Sequence, residues 1–152
     1  MKISEIKFNQ LDPRFFNAEF YKPEYIEVEN SLSKLQNIKN LEEISDSIIS
    51  GSYIREYFET GTLYLRVNNI REYKIDLNDI KFVDIVRSTI PTKIRVKLND
   101  VILTRTGTIG IAHVISQDIV GAVISQHLTR ITVKKHEINP FYLAVFLNTR
   151  LG

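Results

Sequence analysis

The chain has no cysteine, no tryptophan, one methionine and only three histidines. Without cysteine there are no disulfides and no thiolate metal ligands. His113, His127 and His136 have no partners at zinc-ligand spacing. No apolar run approaches the ~20 residues that cross a bilayer. The opening Met1-Lys2-Ile3-Ser4-Glu5 lacks the apolar stretch of an export signal. The expectation is a cytoplasmic protein with no membrane partner. Also absent are a Gly-x-Ser-x-Gly elbow, a phosphate-loop lysine motif and any clustered His/Asp/Glu set. No metal site, cofactor or catalytic centre is expected on this chain.

What is present is 152 residues with 43% hydrophobic and 25% charged content, enough for one domain with a real core. The net charge of +2 is unevenly spread. Residues 1–80 carry ten Lys/Arg against fourteen Asp/Glu, and residues 81–135 carry nine against three. A basic second half suits a polyanion, and equally suits an ordinary solvated surface.

Residues 100–110, Asp-Val-Ile-Leu-Thr-Arg-Thr-Gly-Thr-Ile-Gly, organise the rest. Val101, Ile102 and Leu103 read as a strand. Thr104, Arg105, Thr106, Gly107 and Thr108 then form a polar loop, and Ile109 is expected to return to the interior. Such a tip carries donors suited to phosphates or base edges. Taken alone, it is also what any hairpin turn with solvated threonines looks like.

Upstream, Pro23 and Glu24 fit the first turn of a helix whose face is Tyr25, Val28, Leu32 and Leu35. Leu41, Ile44, Ile48 and Ile49 suggest a second short helix, stopped near Gly51. Leu63, Leu65 and Val67 alternate with polar residues as in a strand, leading to Asn68, Asn69 and Arg71. Ile94, Val96 and Leu98 alternate with Lys93, Arg95 and Lys97, giving an expected strand with one cationic face. Residues 111–115, 119–124 and 129–133 read as further strands. Asn139 and Pro140 are placed to start a closing helix over residues 141–148.

Ser125 and His127 would share one face of a strand and are the only pair inviting a nucleophile reading. A dyad also needs an orienting acid and an oxyanion site, and the sequence nominates neither. Nucleic-acid recognition is better supplied, because Arg, Asn and Gln make bidentate contacts with base edges. The candidate DNA-binding residues are Arg66, Asn68, Asn69, Arg71, Arg105, Thr106, Thr108, Gln126 and His127. Lys93, Arg95 and Lys97 join them for phosphate neutralisation. Each also has an ordinary role open to it, as a turn former or loop brace.

The order of these pieces carries a resemblance. Residues 61–70, Gly-Thr-Leu-Tyr-Leu-Arg-Val-Asn-Asn-Ile, resemble the pattern Gly-x-x-Tyr-x-Arg-x-x-Asn-Ile. Residues 100–110, residues 125–128 and the closing residues 139–148 follow in the same order and spacing. Together they resemble a target recognition domain of the DNA specificity subunit of type I restriction-modification systems. Residues 11–35 are similar to the lead-in that precedes such domains in part of that family.

The resemblance implies an α+β fold: a mixed α/β domain with a curved, partly barrel-like sheet and a few short helices. It implies a lead-in over residues 1–40 and a recognition domain over residues 41–152. It implies a non-catalytic subunit that reads half of a split double-stranded DNA target. The implied protein partners are a methyltransferase subunit and, through it, a restriction subunit. S-adenosylmethionine would belong to the methyltransferase, not to this chain. Family members carry a long spacer helix next, and this sequence ends at Leu151-Gly152. The expectation is half a subunit or a shortened chain, with a homodimer through residues 25–35 as one arrangement. The alternative function is a module that docks a methyltransferase without reading DNA.

Overall fold

The computed structural model describes residues 5–13 and 17–149. The chain end, on which the spacer expectation rests, lies outside the described residues. Two compact units separate, Met1–Lys39 and Asn40–Arg150.

In the first unit, α1 spans Pro23–Leu32, with Pro23 in its first turn and Glu24 at its positive end. Ser33 closes it by donating its backbone N–H to the Glu29 carbonyl at 2.9 Å. The helix stops short of Leu35, which is exposed, as is Tyr25. No α1 residue is fully buried. The expected four-residue apolar stripe is therefore cut to three, ending at Leu32.

The second unit holds seven strands. β1 (Ser45–Ser50), β7 (Leu128–Val133), β4 (Val101–Thr104) and β5 (Ala112–Val114) form one antiparallel sheet in that order. β3 (Lys81–Val83), β2 (Thr62–Leu65) and β6 (Val123–Ile124) form a second, with β2 and β6 parallel. The α/β mixture is as expected, and among the described residues the strands form two sheets with no closed barrel.

Period-two geometry divides the first sheet's side chains. Val101, Ala112, Val114, Ile131 and Val133 pack with Leu143 and Ala144 of α2 (Pro140–Leu147). On the other face, Ile102 and Leu128 join Tyr64, Leu65, Val83, Val123 and Ile124 of the second sheet in a larger core. α2 starts as its sequence predicts: the Asn139 side chain accepts the Phe141 N–H at 2.8 Å, and Pro140 follows the cap. At its far end, Asn148 both accepts from and donates to the backbone of Ala112, at 2.9 Å each. That pair occupies the open side of β5.

Three expectations are corrected. Residues 41–49 are not a helix, because residues 45–50 form β1, paired with β7 through a bulge between Ser45 and Ser47. Residues 94–98 are not a strand: a 3-10 turn covers Thr92–Ile94, and only Arg95 bridges to Val123. Ile94 and Val96 are buried as expected, but Leu98 is exposed. Residues 119–124 divide into the end of a 3-10 turn at Gln117–Ile119 and the two-residue β6.

One consequence is pH-dependent. His113 of β5 is half-buried, and burial pushes its pKa below the ordinary 6.5 against an opposing backbone hydrogen bond at Glu72. The unfolded chain then takes up the proton more readily than the folded one. This contribution to stability is present above pH 6.5 and is lost as pH falls through and below that value. His113→Gln is expected to lose less stability than the native chain between about pH 7.5 and about pH 5.5, as read from urea midpoints.

Candidate nucleic-acid interface

β2 and β6 run parallel, so the segments that follow them emerge at the same end of the second sheet. The Ser125 N–H donates to the Leu65 carbonyl at 2.9 Å, locking the two exits together. Residues 125–128 close a tight turn, with the Leu128 N–H donating to the Ser125 carbonyl at 2.9 Å. Gln126 and His127 form its exposed tip.

The β4–β5 loop lies beside them. The Arg105 N–H donates to the His127 carbonyl at 3.0 Å. The Thr106 hydroxyl is hydrogen-bonded to His127 Nδ1, and Gln126 Nε2 lies 3.3 Å from His127 Nε2. Gly107 adopts φ +79°, which favours glycine, and a Cβ there would sit 3.7 Å from Val67. The loop thus reaches the 3-10 turn Val67–Asn69. The Arg105 guanidinium donates to the Ser50 hydroxyl at 2.6 Å, adding the end of β1. Ile109 is 73% exposed instead of returning to the core. Thr108 is exposed at the tip.

The structure sorts the candidate residues. Asn68, Arg105, Thr106, Gln126 and His127 converge, and their side chains are exposed. Asn69 is 1% exposed and is a brace: its Oδ1 accepts the Arg66 N–H, and its Nδ2 donates to the Asp76 carbonyl, both at 2.9 Å. Arg66 is braced too, donating to the Asp79 carbonyl at 2.7 Å and its carboxylate at 2.8 Å. This hydrogen bond, with help from Lys81, holds the Asp79 carboxyl below the usual carboxylate range. Arg71 is exposed on a separate turn, where its N–H donates to the Lys74 carbonyl.

Lys93 and Lys97 are exposed, and Arg95 is partly buried. The ties of this segment run elsewhere, from Val96 to Ala122 and from the Lys97 N–H to Asp100 at 2.7 Å. Lys97 therefore lies by the start of β4, at the opposite end of that strand from the 104–108 loop. The Ser125 hydroxyl is buried without a hydrogen-bond partner, whereas His127 is exposed and engaged by Thr106. No Ser125–His127 hydrogen bond forms, so the nucleophile reading lacks its first geometric requirement.

Sequence reasoning missed the aromatic part. Tyr53, Tyr57 and Tyr64 line a groove of about 200 Å³ together with Asn68, Gln126 and His127. Tyr64 is core: its hydroxyl donates to the Ser52 carbonyl at 2.8 Å, and burial pushes its pKa up to about 12. Tyr53 and Tyr57 are 62% and 45% exposed. Arg55 lies over the Tyr53 ring at 5.7 Å. The available signal was Tyr-x-Arg-x-Tyr over residues 53–57, aromatics interleaved with a cation in an aperiodic stretch.

No protein-family profile matches the chain, and no curated protein matches it in sequence. Among solved structures it is similar to the HsdS subunit from Thermoanaerobacter tengcongensis, with a TM-score of 0.54 and 14% sequence identity. The match covers 86% of this chain and 34% of that one. Among the described residues, no helix is long and apolar enough to cross a membrane. At this identity the likeness concerns fold and transfers no site residue. The chain thus shares its fold with part of an HsdS subunit, the type I restriction specificity subunit to which the sequence motifs pointed.

Proposed function

We propose that this chain is a non-catalytic, sequence-specific reader of double-stranded DNA, acting as part of a type I specificity subunit. In that role it directs methyltransferase and restriction subunits to a target half-site. The carrying observation is the convergence of Asn68, Arg105, Thr106, Gln126 and His127 at one end of the two sheets. These are side chains that read base edges, presented on loops by a rigid scaffold. Arg66 and Asn69 hold the 66–69 turn in shape beneath them. Lys93, Arg95, Lys97 and Arg71 belong, in this reading, to sequence-independent phosphate attraction away from the loop tips. S-adenosylmethionine chemistry is assigned to the methyltransferase partner.

Arg105→Ala is expected to weaken binding to a cognate duplex by about 5- to 150-fold, the equivalent of one good bidentate contact. Circular dichroism of the variant establishes that it is folded. Unchanged affinity in a folded variant rejects the assignment. One observation favours the docking alternative: Phe141, Tyr142 and Val145 of α2 are 60%, 64% and 66% exposed. Steep loss of binding with salt and a base preference mark the DNA reader. Salt-insensitive capture of a methyltransferase subunit without DNA preference marks the docking module.

A further inference from the structure

We infer that the tyrosine groove beside the loop tips receives a single nucleobase swung out of the duplex. The inference rests on the DNA-reading assignment and extends it from base edges in a groove to one base held by its faces. Three independent features point to a ligand of this shape. The first is the pair of exposed rings, Tyr53 and Tyr57, lining the groove with the buried Tyr64. The Tyr57 and Tyr64 ring centroids lie 5.8 Å apart. Exposed phenol rings beside a DNA-reading surface offer stacking that every base can use.

The second is polar. Ser125 lines the groove, is 4% exposed, and its hydroxyl has no hydrogen-bond partner. The Nε of Arg66, which also lines the groove, is likewise buried and unpartnered. A buried polar atom left unpaired is costly, so two in one small groove call for an explanation. A heterocycle with edge donors and acceptors satisfies both kinds of atom with a small shift of the ring or the serine rotamer. The third is size and lining. At about 200 Å³ the groove is smaller than the ~300–1,000 Å³ that drug-sized ligands occupy, and fits one planar group. Asn68 and Gln126, both exposed, line it with amide groups that can hydrogen-bond a base edge.

His127, which lines the groove, is hydrogen-bonded to both Arg105 and Thr106, so the groove adjoins the loop tip. Extrusion costs unpairing and unstacking, and that cost is smallest where the base is already mismatched. This gives a test with opposite signs for the two outcomes. Duplexes carrying the selected site are given a single mismatch at each position in turn, and affinity is measured for the whole chain. At one position the mismatch is expected to tighten binding by about ten-fold, whereas elsewhere it weakens binding. At that position 2-aminopurine is expected to brighten on binding.

Tyr53→Leu and Tyr57→Leu, both at exposed rings, are expected to reduce the gain to under about two-fold. Ser125→Ala is a further check, because removing an unpaired buried hydroxyl does not lower stability. It is expected to leave the urea midpoint unchanged or raised while relaxing base preference at the extruded position. Specific duplex binding in which every mismatch only weakens affinity, with no 2-aminopurine change, overturns the extruded base and leaves the DNA-reading assignment standing. Absence of any specific duplex binding overturns both.

Discussion

Asp100→Ala is expected to cost about 3–5 kcal/mol of folding stability, because it strands a buried guanidinium. Asp100 and Arg130 are 2% and 3% exposed, and their charged groups approach to 3.5 Å. Asp100 also ties the start of β4 to its neighbours. One carboxylate oxygen accepts the Thr132 hydroxyl at 2.6 Å, and the other accepts the Lys97 N–H at 2.7 Å. Arg130 has two further acceptors, the Arg95 carbonyl at 2.9 Å and the Ser47 hydroxyl at 3.4 Å, neither of them charged. Removing the carboxylate leaves a buried cation facing neutral partners. Asp100→Ala combined with Arg130→Met is expected to recover much of the loss, since replacing both charges removes the uncompensated one. Urea unfolding of the two variants checks this. A single variant within about 1 kcal/mol of the native chain contradicts it.

Gly51→Ala is expected to cost about 3 kcal/mol or more through collision with backbone. A Cβ at Gly51 would lie 2.1 Å from the Ile124 carbonyl oxygen and 2.3 Å from that of Ser125. The approach is built in. The Gly51 N–H donates to the Leu128 carbonyl and the Ser52 N–H to the Ile124 carbonyl, both at 3.1 Å. The chain leaving β1 is thereby laid across the β6–β7 junction that carries Gln126 and His127. Gly110→Ala is the contrast. Gly110 has φ +88° but nothing within 4 Å of its absent Cβ, so only the backbone strain of about 1–3 kcal/mol applies. A Gly51→Ala chain as stable as the native one would show that the junction can open without loss.

These two sites also show where sequence reasoning stops. Gly51 reads as a helix stop because Leu41, Ile44 and Ile48 recur at helical spacing. Pairing with β7, 80-odd residues away in sequence, overrides that local pattern: Ile48 opposes Ile131 and Ile49 opposes Arg130. Asp100 looks like a turn residue in the organising stretch, and nothing local pairs it with Arg130. Alternation correctly buries Ile94 and Val96, but carbonyls of a neighbouring loop replace the expected ladder.

What was legible was what local chemistry decides. The runs rich in β-branched residues at 101–103 and 129–133 became most of β4 and β7, and Asn139-Pro140 started α2. The loop tips at Arg105, Thr106, Gln126 and His127 were visible as polar residues between apolar runs. Their meeting was not visible, because it depends on the antiparallel pairing of β4 with β7, which sets Thr104 opposite Leu128. Asn69, named as a base reader, is spent on shaping its own turn. Tyr53 and Tyr57 carried no period and went unnoticed.

The most direct measurement is selection from a random duplex-DNA pool, with the purified chain alone and with a type I methyltransferase subunit added. Enrichment of a short asymmetric motif, lost as salt is raised, is the predicted result. A folded chain that binds the methyltransferase subunit yet enriches no sequence in either condition would contradict the account and favour the docking module.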